Sequence, residues 1–315
     1  MKLIQYPSKS HHKNDESMQR MCKVLSIEFE STEDVDRLKR DDYDYLWLPI
    51  KFVSPDEIPK KIFILYGPSF FVFPDNSWVD GKQNEEWSKR SFFTVLSEWN
   101  YIVHKEFVQD SVIPFKAIPF GVDDSILFDH TIQPIYDCVI YFKNRHTSLL
   151  DNVVSTVSNK GLIYRVFSYG SYSNDDFLNS LRQSKFCIWI GSHESQGFAF
   201  QECMMTNTPM LVLDATSMFD EYSWNNMVYS SHLGTKELKA TSATCWTDEC
   251  GEKCTLENFS EKLELIQSRL DTYTPRKIII EHRSDKVCME RLLQSFSHSG
   301  NRPYISYSNQ THFLG

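Results

Sequence analysis

Two glutamates, Glu194 and Glu202, stand eight residues apart in "HESQGFAFQE", with Gly197 between them. An ionised carboxylate only accepts hydrogen bonds, so a pair of them suits a ligand rich in hydroxyls. Spacing alone does not make a site, because Glu98 with Glu106 and Glu249 with Glu257 repeat the interval. Context separates the three pairs. The apolar run "FCIWIGS" leads straight into Glu194, and in open parallel sheets ligands bind beyond the carboxyl ends of strands, where loops turn into helices. "SQGFAFQECMM" reads as such a loop and helix. The amides of Ser195, Gln196, Gly197 and Phe198 would then present N–H groups and the positive end of a helix dipole, a cradle for an anion. Gly197 lets backbone approach a ligand with no Cβ in the way. Glu202, about one turn into the helix, reaches back over the same cleft. A ligand carrying both phosphate and vicinal hydroxyls, a sugar nucleotide, satisfies both parts of this arrangement.

The elements that must hold these residues follow from the apolar pattern. Short runs bounded by turn residues recur along the chain: "KLIQYP", "KVLSIEF", "YDYLWLPI" and "KIFILYGPSFF", then "DCVIYF", "LIYRVFSYG", "FCIWIGS" and "PMLVLD". Their apolarity is continuous rather than alternating, as in strands buried on both faces. Between them lie helix candidates such as "NDDFLNSLRQS", with Asn174 as its N-cap, and "QECMMTN" before Pro209. Strand and helix in alternation predict a parallel α/β sheet. The stretch 113–128, with two prolines and a glycine, breaks the rhythm and divides the chain into domains of about 1–116 and 117–315. Apolar positions at helical spacing predict that the chain ends in helices.

Length and composition agree with two medium domains. The 315 residues are 41% hydrophobic and 24% charged, and single cores stop growing at about 250 to 300 residues. A formal net charge of −9 disfavours binding to nucleic acid or an anionic membrane, which needs a surplus of Lys and Arg. No apolar run reaches the ~20 residues of a transmembrane segment. Eight cysteines scattered through the chain, some inside apolar strands, read as buried thiols of a reducing compartment, so the expected location is cytoplasmic.

Across roughly residues 95–215, a series of motifs in the same order resembles retaining GT-B glycosyltransferases of the family-4 type. Their mark is E-x7-E around a glycine, then a helix and a "TP" before the next strand; here these are "ESQGFAFQE", "CMMTN" and "TPMLVLD". "AIPFGVDDSILF" is similar to the segment that enters the second domain, and "LSEWNYIVHKEF" to the Ser-x-Trp helix before it. The resemblance implies a GT-B fold, two Rossmann-like domains facing a cleft, with the last helix crossing back to the first. It implies transfer of a hexosyl or pentosyl group from a nucleoside-diphosphate sugar to a glycan, glycoconjugate or other hydroxyl acceptor, with no divalent metal and no other cofactor. Glu202 would bind the ribose hydroxyls, Glu194 the transferred sugar, and the backbone at 195–198 the distal phosphate or sugar. Lys143 and Arg145, in "VIYFKNRHTS", stand where the family keeps its diphosphate-binding cations, without the usual glycine and at a different spacing, so which meets which phosphate is open. After the fourth strand, "ILYGPSFF" offers Tyr66 and Ser69 and lacks the histidine that many members carry. His11 and His12 would line the acceptor side.

Other signals are weaker. Cys245, Cys250 and Cys254 lack the C-x2-C spacing of a zinc knuckle and read as loop thiols or a local disulfide. The P-loop, dinucleotide and hydrolase-elbow motifs are missing. A sugar-nucleotide epimerase or hydrolase on the same fold, and an inactive glycan- or nucleotide-binding module, remain the alternative readings.

Overall fold

The computed structural model describes residues 1–68, 84–107, 112–126, 128–129, 131–220 and 239–297. Among them, two parallel sheets carry the architecture. The first has the order β2-β1-β3-β4-β5-β6, built from β1 (Lys2–Gln5), β2 (Glu28–Ser31), β3 (Tyr45–Leu48), β4 (Phe63–Tyr66), β5 (Ser91–Val95) and β6 (Phe115–Ala117). The second has the order β11-β10-β9-β7-β8, from β7 (Tyr136–Phe142), β8 (Tyr164–Ser168), β9 (Ser184–Ile190), β10 (Met210–Leu213) and β11 (Gly251–Cys254). The helices are α1 (His12–Val24), α2 (Glu98–Phe107), α3 (Thr147–Asn159), α4 (Asn174–Arg182), α5 (Phe198–Met205), α6 (Phe259–Ser268), α7 (Pro275–Arg283) and α8 (Asp285–Ser297).

Continuous apolarity in the strands has the expected cause. Successive side chains of a strand point to opposite faces, and both faces of each sheet are covered. In β9, Cys187 and Trp189 join Val139, Tyr141 and the α4 and α5 residues Phe177 and Phe200 in one core. Phe186, Ile188 and Ile190 join Val153, Val157 and the α6 residues Leu263 and Ile266 in another. All five of these β9 side chains are fully buried, each worth roughly 1.5 to 3 kcal/mol of transfer energy if large and apolar. The first sheet repeats the scheme: Ile4, Leu46 and Ile64 lie in one core, while Leu3, Trp47 and Leu65 lie in another with Met18 and Met21 of α1.

Several boundaries differ from the sequence reading. The run "KVLSIEF" begins inside α1, and its strand starts only at Glu28. Ser173, not Asn174, caps α4, its hydroxyl accepting from the Asp176 amide. The stretch 113–128 contains the edge strand β6, and β5 precedes it in "SFFTV". The cysteine-bearing stretch supplies β11; Cys245, Cys250 and Cys254 are free thiols, and burial pushes the latter two up to about 12.

The chain returns to its beginning. α7 ends at Arg283, whose carbonyl accepts the Val122 amide at 2.7 Å, and Val122 bridges Ser284 in parallel. α8 then packs on the first sheet, with Met289, Leu292 and Phe296 sharing the core of Leu3 and Met18. At the crossing, Arg20 Nε donates to Asp285 Oδ2 at 2.9 Å and Arg20 Nη2 to the Gly121 carbonyl at 3.1 Å. A Cβ on Gly121 would lie 2.2 Å from Asp285 Oδ1 and 2.5 Å from its Cα, so only glycine allows this approach.

Candidate functional site

β9 delivers the chain to the loop 191–196, and α5 begins at Phe198 with Gly197 as its N-cap. Gly197 has φ +79° and no side chain with which to cap, so the leading N–H groups of Phe198, Ala199 and Phe200 carry the helix's positive end; the first intrahelical bond is Gln201 N–H to the Gly197 carbonyl, 2.9 Å. The loop is held from three sides. Gln196, buried, clamps Phe120 by accepting its N–H at 2.9 Å and donating to its carbonyl at 2.7 Å. The Glu194 amide donates to the Thr241 carbonyl at 3.0 Å. From the first half of the chain, the Trp99 indole donates to the Glu194 carbonyl at 2.9 Å.

Each glutamate meets a lysine. Lys143 Nζ, beyond the end of β7, lies 2.6 Å from Glu194 Oε1 and 4.7 Å from the centre of the Tyr169 ring. Lys13 Nζ, near the start of α1, lies 2.6 Å from Glu202 Oε1. The Glu202 side chain is only 6% exposed, and its second oxygen, Oε2, is buried without a hydrogen-bond partner among the described residues. A buried carboxylate oxygen in that position costs desolvation that no hydrogen bond from the described residues returns. Two aromatic or imidazole groups report how close these charges stand. Desolvation, then His12, Lys13 and Lys143, lower the His11 pKa against the opposite pull of Asp15. Burial raises the Tyr172 phenol, which also feels Glu202, Glu194 and Lys143.

The structure therefore brings Glu194, Glu202, Lys143, His11 and the turn Ser195 to Phe198 into one neighbourhood. His11 and His12 stack at 4.7 Å where α1 begins. Arg145 is buried, and its Nη1 donates to the carbonyls of Gly191 at 2.9 Å and Leu213 at 3.3 Å, tying together the ends of β9 and β10. Tyr66 is fully buried and donates to the Val53 carbonyl at 2.7 Å, which sets it in the core of the first sheet and not at the acceptor side expected of it. Its strand position makes this necessary, since Tyr66 shares a face with Ile64. Ser69 lies outside the described residues. The sequence assigns no site role to Lys13 or Tyr172, and shows Trp99 only as part of the Ser-x-Trp helix. Lys13 directly follows His11 and His12, but its partner is 189 residues away, and no local spacing carries such a pairing.

With this geometry in hand, likeness to known structures decides the fold. AviGT4, a glycosyltransferase of avilamycin A biosynthesis, superposes with a TM-score of 0.57 at 10% identity, covering 94% of this chain and 96% of that one. The chain has the GT-B fold. Sucrose-phosphate synthase from Thermosynechococcus elongatus gives a TM-score of 0.54 at 8% identity, covering 94% and 98%. The lipopolysaccharide outer core galactosyltransferase WaaB gives 0.51 at 11%, covering 94% and 99%. No protein-family pattern matches the sequence. No curated protein sequence matches it either. Among the described residues, no helix is long and apolar enough to cross a membrane.

Proposed function

We propose that this GT-B chain is a glycosyltransferase that moves a hexosyl or pentosyl group from a nucleoside-diphosphate sugar to a hydroxyl of a glycan or other acceptor, with retention and without a divalent metal, in the cytoplasm. The observation that carries the reading is Glu202. Its buried carboxylate has one oxygen on Lys13 and the other without a partner among the described residues, and vicinal ribose hydroxyls are the donors that would satisfy it. Glu194, 13% exposed and facing the same neighbourhood, takes the hydroxyls of the transferred sugar. The leading amides of α5 and Lys143 stabilise the charge that develops on the departing diphosphate, so catalysis comes from positioning and electrostatics. Arg145 acts through the strand ends it ties, and Lys143 is the cation paired with Glu194. The E-x7-E spacing resembles family-4 enzymes, which supports retention.

Calorimetry with two ligands, in EDTA, tests this. Glu202→Ala weakens both the nucleoside diphosphate and its sugar conjugate, by about 10- to 150-fold for the loss of charge-assisted bonds worth roughly 1.5 to 3 kcal/mol. Glu194→Ala leaves the diphosphate bound and weakens only the conjugate or its turnover. Equal, negligible effects of both changes on both ligands would remove the pair from the site, and loss of all binding in EDTA would remove metal independence.

A further inference from the structure

Lys13 belongs to the first half of the chain, yet its ammonium is held by Glu202 in the second. Both side chains are largely withdrawn from water, at 24% and 6% exposure. Removing two such charges from water is costly, and a pair made for stability alone would also satisfy the remaining carboxylate oxygen. Here that oxygen has no partner among the described residues. Lys143 is likewise held 2.6 Å from Glu194, so two ammonium groups from opposite halves are paired with two carboxylates of one loop and helix. The four charges cancel. A diphosphate brought to this neighbourhood meets lysines already paired with carboxylates, and ribose hydroxyls supply the means of exchange, because two O–H donors can occupy both oxygens of Glu202.

We infer that Lys13 is a diphosphate-binding residue supplied by the first half of the chain, held on Glu202 until the ribose hydroxyls of the nucleotide take both carboxylate oxygens. The exchange couples the two halves to one ligand: the ribose engages Glu202 of α5, and the freed ammonium at the start of α1 meets the phosphates. This inference rests on the sugar-nucleotide reading of the site.

Single loss of Lys13 would leave a buried, uncompensated carboxylate, so the test compares E202Q with the double variant K13M/E202Q, both first checked for a native thermal transition. UDP, GDP and ADP, and the corresponding nucleosides, are titrated by calorimetry and ligand-observed NMR. For the diphosphate that the wild type prefers, the double variant binds about tenfold or more weaker than E202Q, as expected for one charge-assisted phosphate contact, while nucleoside affinity is unchanged. K13R/E202Q recovers most of the loss. Equal weakening of diphosphate and nucleoside, or no weakening, overturns the role of Lys13 and leaves the sugar-nucleotide reading in place. Failure of the wild type to bind any diphosphate overturns both.

Discussion

Gly197 sets the geometry on which both glutamates depend. Its φ of +79° lies in the left-handed region, and a Cβ there would stand 3.2 and 3.3 Å from Glu194 Cβ and Cγ and 3.5 Å from Phe200 Cβ. Left-handed backbone costs a residue other than glycine roughly 1 to 2 kcal/mol, and the tight contact falls on the very side chain assigned to the donor sugar. Gly197→Ala therefore lowers stability by about 1 to 2 kcal/mol and weakens the sugar conjugate more than the free diphosphate. Chemical denaturation beside calorimetry checks both halves of that expectation; an unchanged midpoint would mean that the loop moves without cost. At this scale the turn was legible, because a glycine at a strand-to-helix corner has few other uses. Lys13 was not, since an ion pair is a property of two positions and the sequence shows one at a time.

At the scale of elements, legibility followed burial. β9 and β10 stand out because both of their faces are covered, so nearly every residue is apolar. β11, "GEKC", and β2, "EFES", lie at sheet edges, where polar side chains can reach water, and neither carries an apolar run. β6 is three residues long and gives no period to detect. The resemblance implied that the last helix crosses back, but no apolar period marked the joint between α7 and α8 where it does so, and that joint carries a titratable group. Burial raises Asp285 to about 6, opposed by Arg20 and supported by Asp124 and Asp123. An unfolded aspartate titrates near 3.9, so between about pH 4 and 6 the folded chain binds more protons than the unfolded one. Stability at this joint is then present at the acid end of the window and is lost as pH rises through it. Asp285→Asn, which mimics the protonated form and keeps an acceptor for Arg20, raises the unfolding free energy at pH 8 by about 1 to 2 kcal/mol after allowance for solvent screening, and leaves it unchanged at pH 4; chemical denaturation at the two pH values measures both. A variant less stable than wild type at pH 8 would show that the Arg20 pair outweighs the burial of the charge.

For the whole molecule, the return of α8 makes the two sheets one object. Its Phe296, 5% exposed, packs against Phe92 at 4.7 Å, Phe63 at 5.2 Å and Tyr45 at 5.3 Å between ring centres. These are residues of β5, β4 and β3, so the end of the described chain completes the core of its first half. A GT-B site of the proposed kind needs this arrangement, because Lys13 and Trp99 come from the first half while both glutamates come from the second. Truncating a buried phenylalanine costs about 3 kcal/mol or more, and here the cost falls on the sheet that holds Lys13 although the mutation lies far along the sequence. Phe296→Ala should therefore melt in two steps by scanning calorimetry where the wild type melts in one, the earlier step belonging to the first sheet. Trp47 lies in that same core and Trp189 in the second sheet, so hydrogen exchange of the β3 and β9 amides, followed through the two transitions, assigns each step. A single transition displaced to lower temperature would mean that the joint at Gly121 and Asp285, rather than the packing of α8, keeps the halves cooperative.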